Sequence, residues 1–161
     1  MVKSTHTTSL KEGDQAPAFS FINLDGKSFS LKDFAGKKVI LYFYPKDNTP
    51  GCTTESCNLR DNYASLKKKG YEVIGVSKDD EKSHAKFVKK FKLPFMLIPD
   101  TEKNVIKKYD VWGKKTFMGR TFDGVVRTTF IIDEKGKIER IINKVDNQNH
   151  AQQIVEPAIA I

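Results

Sequence analysis

The feature that most constrains the fold is the run at residues 39–44, Val-Ile-Leu-Tyr-Phe-Tyr, which is apolar without alternation. A strand with one face in solvent alternates apolar and polar side chains, so this run predicts a strand covered on both faces. A second such run lies at 71–76, after a segment with apolar residues at helical spacing that ends at Gly70. Buried strands that alternate with helices predict a three-layer α/β sandwich, in which helices cover both faces of a central sheet.

Shorter elements complete this predicted sandwich. Residues 19–31 are typical of an N-terminal β-hairpin that turns at Asp25-Gly26. Strands over 116–122 and 125–132 are predicted to pair through Asp123-Gly124, so the sheet is expected to be mixed. The other predicted elements are a helix capped by Asp79 or Asp80, a strand over 94–98, a short helix near 105–109, a strand over 137–143 and a final helix from Asn147 that buries Ile154, Val155 and Ile159.

The length of the chain fits one domain. It has 161 residues and a mass of 18.3 kDa, with no repeat or linker-like segment. We therefore expect a single domain over 11–161, preceded by a flexible N-terminal tail at 1–10. The longest apolar runs are about a third of a membrane span, and the first ten residues hold no hydrophobic stretch. Neither a transmembrane helix nor a secretory signal is predicted, and a cytoplasmic location is expected.

The charge balance is basic, with 28 Lys and Arg against 20 Asp and Glu, or +8. Only four of the 28 cations are Arg, and the Lys clusters lie in separate helical segments. Recognition of bases and phosphates favours the planar Arg fork, whereas solvated surfaces are commonly rich in Lys. We interpret the surplus as a solvated surface and expect no nucleic-acid partner. A basic nucleic-acid-binding protein with structural cysteines is kept as an alternative.

The segment at 45–57 contains the only two cysteines, Cys52 and Cys57, which are too few for a disulfide scaffold. It leads from the end of the first buried strand into a helix, at the sheet edge where α/β folds bind ligands. Cys52 is then expected at a helix N-terminus, where free N–H groups and the helix dipole favour a reactive thiolate. Thr49 can offer its hydroxyl to the sulfur or to an incoming oxygen, and the two prolines of the segment restrict the loop.

Two other interpretations of the cysteines need no reactive thiolate. Free cysteines are often small buried apolar residues, and for Cys57 by itself this interpretation is equally open. A zinc site would need Cys-x2-Cys-type spacing and further ligands. Four residues separate the two cysteines, and the histidines are scattered along the chain, at His6, His84 and His150. The pattern does not favour a metal site.

Arg127 stands out because it heads an otherwise apolar strand at 125–132. A buried guanidinium must find a partner, so its position needs an explanation. Arg127 could be an edge residue whose charge reaches water. Its functional interpretation is a cation set against the Cys52 thiolate.

Taken together, these residues resemble a known family. Pro45, Thr49 and Cys52 form the pattern Pro-x3-Thr-x2-Cys, which is similar to the active site of peroxiredoxins. The run Gly-Cys-Thr-Thr-Glu-Ser-Cys, which ends at Cys57, resembles their bacterioferritin-comigratory branch, also called the Q type. The resemblance covers most of the chain and includes Arg127.

This resemblance implies a thioredoxin-like fold and a thiol peroxidase. Cys52 would be the peroxidatic nucleophile and Cys57 the resolving cysteine, while Thr49, Arg127 and Pro45 would complete the pocket. Hydrogen peroxide and organic hydroperoxides would be reduced through a sulfenic acid and an intramolecular disulfide, which thioredoxin or a similar dithiol would reduce. No metal, flavin or haem is implied. Because one chain carries both cysteines, a monomer is expected.

The main alternative is a thioredoxin-like disulfide reductase or a holdase chaperone that uses the same cysteine pair. Its usual signature is Cys-x2-Cys, which this chain lacks. Such a protein would also have no use for Thr49 and Arg127. The peroxidase interpretation therefore accounts for more of the sequence.

Overall fold

The computed structural model describes residues 3–155. Its strands are β1 (Ser20–Ile22), β2 (Ser28–Ser30), β3 (Lys38–Phe43), β4 (Tyr71–Ser77), β5 (Met96–Pro99), β6 (Trp112–Phe117), β7 (Arg120–Val125), β8 (Thr128–Ile132) and β9 (Ile138–Ile142). Its helices are α1 (Pro50–Asp61), α2 (Tyr63–Lys68), α3 (Glu81–Phe91), α4 (Asn104–Lys108) and α5 (His150–Val155), with a short 3-10 helix at Leu31–Phe34. Within this part of the chain, no helix is long and apolar enough to cross a membrane.

The central sheet is mixed and has five strands in the order β5-β4-β3-β8-β9. Strands β3, β4 and β5 are parallel neighbours, and β8 is antiparallel to both β3 and β9. Two separate two-stranded sheets, β1-β2 and β6-β7, complete the strand pairing. This arrangement confirms the predicted α/β sandwich with a mixed sheet and an N-terminal hairpin.

Strand β3 is covered on both faces, as its uninterrupted apolar run predicts. Val39, Leu41 and Phe43 point into one core with Tyr109 and Phe130. The alternate residues 40, 42 and 44 point into a second core, which includes the inner faces of α1, α2, α3 and α5. Because the carboxyl end of β3 lies between these two cores, the loop that follows it is held from both sides.

The predicted pairing of the late strands is wrong. Strand β6 pairs with β7 and not with β8, and the chain turns at Met118-Gly119, where φ is +51° and +77°. Two consecutive positive φ angles are what a tight two-residue hairpin turn requires. Asp123-Gly124 lies inside β7, where Gly124 faces Gly113. β8 is consequently free to join the central sheet beside β3.

Three helix boundaries also differ from the predictions. The helix expected to continue to Gly70 is divided at Asn62 into α1 and α2. Helix α1 begins at Pro50, inside the stretch 45–51 that its two prolines and Gly51 predict to be a loop, because proline fits the first helical position, where no N–H is needed. The final helix begins at His150 and not near Asn147. It buries Ile154 and leaves Val155 half-buried, while Ile159 lies outside the described residues.

Residues 3–10, expected to belong to a loose tail, contact the rest of the domain. Lys3 and Thr116 exchange two backbone hydrogen bonds of 2.9 and 2.7 Å. The Thr8 hydroxyl donates to the carbonyl of Tyr109 at 2.6 Å, and His6 lies 2.9 Å from the carbonyl of Asp110. The sequence did not reveal these contacts because all of them are made with residues more than 100 positions away.

Candidate active site

The candidate site lies where β3 ends and α1 begins. Thr49 is the N-cap of α1, with an extended backbone (φ −97°, ψ 156°), and Pro50 is the first helical residue. Cys52 follows in the first turn and is only 1% exposed. In the first turn of a helix the backbone N–H groups have no intrahelical acceptor. The Cys52 sulfur therefore lies at the positive end of the helix dipole, as the sequence predicts.

Arg127 contacts the Cys52 sulfur directly. Its Nη2 donates to Cys52 Sγ at 3.1 Å, and its Nη1 donates to Glu55 Oε1 at 2.6 Å. Glu55 is fully buried and lies three residues after Cys52, on the same side of α1. The planar fork thus binds two groups of one helix turn at once, which fixes its orientation.

The environment of Arg127 keeps the guanidinium charged. Burial lowers the pKa of Arg127, but the charges of Glu55 and Cys52 and their hydrogen bonds outweigh burial, so the net direction is upward. A fixed positive charge therefore lies against the sulfur. This charge can act on negative charge that develops at the sulfur or at an atom bound next to it.

Cys57 lies in a different environment, although it is on the same helix. Both cysteines are free, and Cys57 is half-buried. Burial raises the pKa of the Cys57 thiol, an effect that Arg60 opposes and Asp61 strengthens. Cys57 is thus a thiol near neutral pH, whereas Cys52 has a cation at its sulfur. The structure does not bring the two cysteines together.

The other two predicted site residues flank the loop between β3 and α1. The Thr49 hydroxyl donates to the carbonyl of Lys46 at 2.9 Å. The Thr49 hydroxyl proton is used in this hydrogen bond, so the hydroxyl oxygen can only accept a further hydrogen bond. Pro45 is half-buried at the end of β3 and begins the loop.

Asp47 holds this loop, which the sequence analysis did not anticipate. Its carboxylate accepts from the hydroxyls of Tyr44 at 2.6 Å and Ser83 at 2.8 Å, and it lies 2.7 Å from His84 Nδ1. The backbone N–H of Asp47 donates to Asp79 at 2.8 Å. The contacts with Ser83, His84 and Asp79 tie the loop to α3 and to the end of β4, so Thr49 is placed on a fixed support.

Asp47, Asp79 and His84 form the one group of possible metal ligands among residues 3–155. Their candidate ligand atoms lie within 4.8 Å of one another. Each of the three side chains already makes hydrogen bonds to protein groups. Hydrogen bonding accounts for the cluster without an ion.

Glu55 and Lys115 are further charged residues around the site that the sequence analysis missed. Lys115 on β6 is buried, and its Nζ donates to the carbonyl of Val125 at 2.6 Å. Burial lowers the pKa of Lys115 to about 8, with a further contribution from Arg127 and an opposing one from Cys52. Glu55 could have been found from helical spacing, since it is three residues after Cys52. Lys115 gave no comparable signal, because its neighbours are distant in sequence.

Comparison with known proteins agrees with this geometry. Residues 12–141 match the model of the AhpC/TSA family. The chain is 46% identical over 147 residues to a putative peroxiredoxin Bcp of Haemophilus influenzae, covering 91% of this chain and 95% of that protein. It is 46% identical over 141 residues to the peroxiredoxin Bcp of Escherichia coli K12, covering 88% and 90%.

Solved structures give the same result for the fold. Peroxiredoxin Q of Xanthomonas campestris superposes with a TM-score of 0.79 at 32% identity, covering 85% of this chain and 87% of that one. A cysteine-to-serine mutant of PrxQ from Xylella fastidiosa superposes with a TM-score of 0.86 at 29% identity, covering 92% and 95%. The fold is therefore the thioredoxin-like fold of these proteins.

Proposed function

The chain belongs to the AhpC/TSA family and is a Bcp-type peroxiredoxin, and from this premise we propose the course of its reaction. The substrates are hydrogen peroxide and organic hydroperoxides. The proposal assigns the nucleophile to Cys52, the pocket to Thr49, Arg127 and Pro45, and the resolving role to Cys57. It uses only protein groups and no metal, flavin or haem.

In the first step the Cys52 thiolate attacks one oxygen of the peroxide in line with the O–O bond. An S–O bond forms as the O–O bond breaks, so the sulfur is oxidised to a sulfenic acid and the peroxide is reduced. The leaving oxygen takes a proton and departs as water or an alcohol. Arg127 and the N–H of Cys52 are the donors that stabilise its growing negative charge. The oxygen of Thr49 accepts from the peroxide hydrogen.

In the second step the Cys57 thiol condenses with the sulfenic acid. An S–S bond forms, and the sulfenic oxygen leaves as water. A dithiol donor, which we propose to be thioredoxin, then reduces this disulfide by thiol–disulfide exchange. Because both cysteines lie on α1, one chain completes the cycle, and we propose a monomer in a reducing cytoplasm.

The observation that carries this proposal is the contact between Arg127 and the Cys52 sulfur. A structural cysteine needs no buried cation at its sulfur, and a guanidinium with only a structural role would be satisfied by Glu55. The 3.1 Å contact instead directs the second arm of the fork to a helix N-terminus that carries a thiol. Charge on sulfur and charge on a leaving oxygen are both stabilised by this arrangement.

Peroxide consumption in the presence of a thioredoxin system tests the proposal. We expect turnover by the wild type and none by Cys52→Ser. A matched control is Ser56→Ala, which lies on the same helix and keeps both cysteines. Equal turnover by wild type and Cys52→Ser would refute the assignment. Reduction of protein disulfides without peroxide consumption would instead indicate a disulfide reductase.

A further inference from the structure

His150 is fully buried, although no step of the proposed reaction uses it. It is the first residue of α5, and its ring lies between α5, β8 and α1. Its ring nitrogens lie near three side chains, those of Gln153, Thr129 and Glu55. A buried imidazole with contacts on both nitrogens has a defined protonation pattern, which the contacts reveal.

The contact with Gln153 fixes one of the two ring protons. Gln153 Oε1 accepts from the backbone N–H of Asp146 at 2.8 Å, and its Nε2 donates to the carbonyl of Lys144 at 2.9 Å. These two bonds set which end of the amide is oxygen. His150 Nδ1 lies 2.8 Å from this oxygen, so Nδ1 must carry a proton and donate.

The other ring nitrogen faces the active-site carboxylate. His150 Nε2 lies 2.8 Å from Thr129 Oγ1 and 3.5 Å from Glu55 Oε2. Glu55 Oε2 is buried and has no hydrogen-bond partner among residues 3–155, whereas its Oε1 is bound by Arg127. A buried carboxylate oxygen without a donor is costly, and a proton on His150 Nε2 would lie next to it.

We propose that His150 is a positioning residue of the peroxidase site, with an Nε2–H that supports Glu55 and, through Glu55, holds the Arg127 fork against Cys52. This inference rests on the proposed function. The line of contacts is continuous: Gln153 to His150, His150 to Glu55, Glu55 to Arg127, and Arg127 to the sulfur. Helix α5 is thereby coupled to the reacting atom.

Charged groups of both signs surround the contact between His150 and Glu55. Glu55 faces His150 from α1, and Arg127 lies behind Glu55, ahead of β8. Asp146 precedes α5, Cys52 lies at the far side of Arg127, and the buried Lys115 of β6 is also near Arg127 and Cys52. Glu55 is the anion that His150 Nε2 contacts, so a proton on that nitrogen would lie against a negative charge.

A double-mutant cycle in the single-turnover rate with peroxide tests the coupling. We expect His150→Gln and Glu55→Gln each to lower the second-order rate constant by about tenfold, and the double variant to lose little more than either. Arg140→Gln is the control, because Arg140 also anchors α5, through the carbonyls of Gln153 and Ile154, without reaching Glu55. It should reduce stability and leave the rate constant within about twofold. Losses that multiply in the double variant, or an unchanged rate in His150→Gln, would overturn the proposal.

Nitrogen NMR of the His150 ring gives a readout that a packing role would not change, and it does not depend on the folding of His150→Gln. At pH 7 both ring nitrogens of the wild type should show shifts typical of N–H. In Glu55→Gln the Nε2 shift should move to that of a nitrogen without a proton, since the side-chain amide donates to it. A bare Nε2 in the wild type would mean that Thr129 donates to it, and the proposal fails. Because this measurement uses no peroxide, it separates failure of the inference from failure of the proposed function.

Discussion

At the scale of single residues, the role proposed for Arg127 depends on the shape of its guanidinium as well as on its charge. One nitrogen binds Cys52 Sγ and the other binds Glu55, at 3.1 and 2.6 Å. Lysine has a single ammonium and cannot span both partners with fixed geometry. The proposed role therefore predicts that even a substitution that keeps the charge of Arg127 slows the reaction.

We expect Arg127→Lys to lower the second-order rate constant for Cys52 oxidation by about tenfold or more, and Arg127→Ala by about 10²–10³-fold. The loss should lie in the chemical step, because the variant removes a donor to the developing charge. Stopped-flow measurement with stoichiometric peroxide gives these constants. Arg60→Lys is the matched control, since Arg60 pairs with Asp61 and does not contact the Cys52 sulfur. A rate for Arg127→Lys within twofold of the wild type would contradict a role for fork geometry.

Lys115 is a second residue whose environment has a measurable consequence. Burial lowers its pKa from the usual 10.5 to about 8. Below pH 8 Lys115 is charged in the folded protein, and burying that charge reduces the free energy of unfolding. The cost declines between pH 8 and 10.5, where the unfolded chain binds more protons than the folded one, and stability rises with pH over that window.

Lys115→Met should therefore stabilise the protein near neutral pH. The relieved cost is about 3 kcal/mol at most, and the carbonyl of Val125 loses its donor at about 1 kcal/mol, so we expect a net gain of about 1–2 kcal/mol at pH 7. The gain should disappear by about pH 10. Urea unfolding of both proteins at several pH values measures it. If the increase in the free energy of unfolding were the same at every pH, burial of a charged Lys115 would not be its cause.

At the scale of elements, the proposed Cys52–Cys57 disulfide requires helix α1 to change shape during turnover. Cys52 and Cys57 lie in one continuous helix, Pro50–Asp61. Five residues correspond to a rise of about 7.5 Å and a rotation of about 140°, which places the Cα atoms roughly 8–9 Å apart. A disulfide needs Cα atoms within about 7 Å and side chains that point together. The first turns must therefore unwind before the disulfide can close.

Hydrogen exchange should detect this unwinding. We expect the amides of residues 53–60 to exchange at least tenfold faster in the oxidised protein than in the reduced one. The amides of α3, Glu81–Phe91, serve as the internal control and should exchange equally in both forms. Equal protection of residues 53–60 would mean that Cys57 reacts without helix unwinding.

The elements also show how far a sequence can be interpreted without coordinates. The apolar run at 39–44 and the Pro-Thr-Cys segment were sufficient for the sheet core and for the position of Cys52, because both depend on local pattern. The β6–β7 hairpin was mispredicted because Asp123-Gly124 and Met118-Gly119 both contain glycine, and only the latter adopts two positive φ angles. Lys115 was missed because it reaches the site through strand pairing and not through sequence proximity.

At the scale of the whole molecule, oxidation should reduce stability. In the reduced form the first two turns of α1 contribute Cys52 and Glu55 to the buried interior and bind Arg127. Unwinding removes these contacts, while the disulfide closes too short a loop to compensate fully. We expect the oxidised protein to unfold about 2–6 °C below the reduced protein. Calorimetry of both forms measures this difference. Oxidant-treated Cys57→Ser, which cannot form the disulfide, is the control for oxidation at other sites. A higher transition temperature for the oxidised form would contradict the unwinding model.

The central claim is that Cys52 is the nucleophile and Cys57 only resolves the product. The most direct test is mass spectrometry of Cys57→Ser after exposure to one equivalent of hydroperoxide, with a dimedone-type reagent to trap sulfenic acid. We expect one equivalent of alcohol and one trapped adduct located on Cys52, and neither from Cys52→Ser under the same conditions. An adduct on Cys57 in Cys52→Ser, formed at the wild-type rate, would contradict the account.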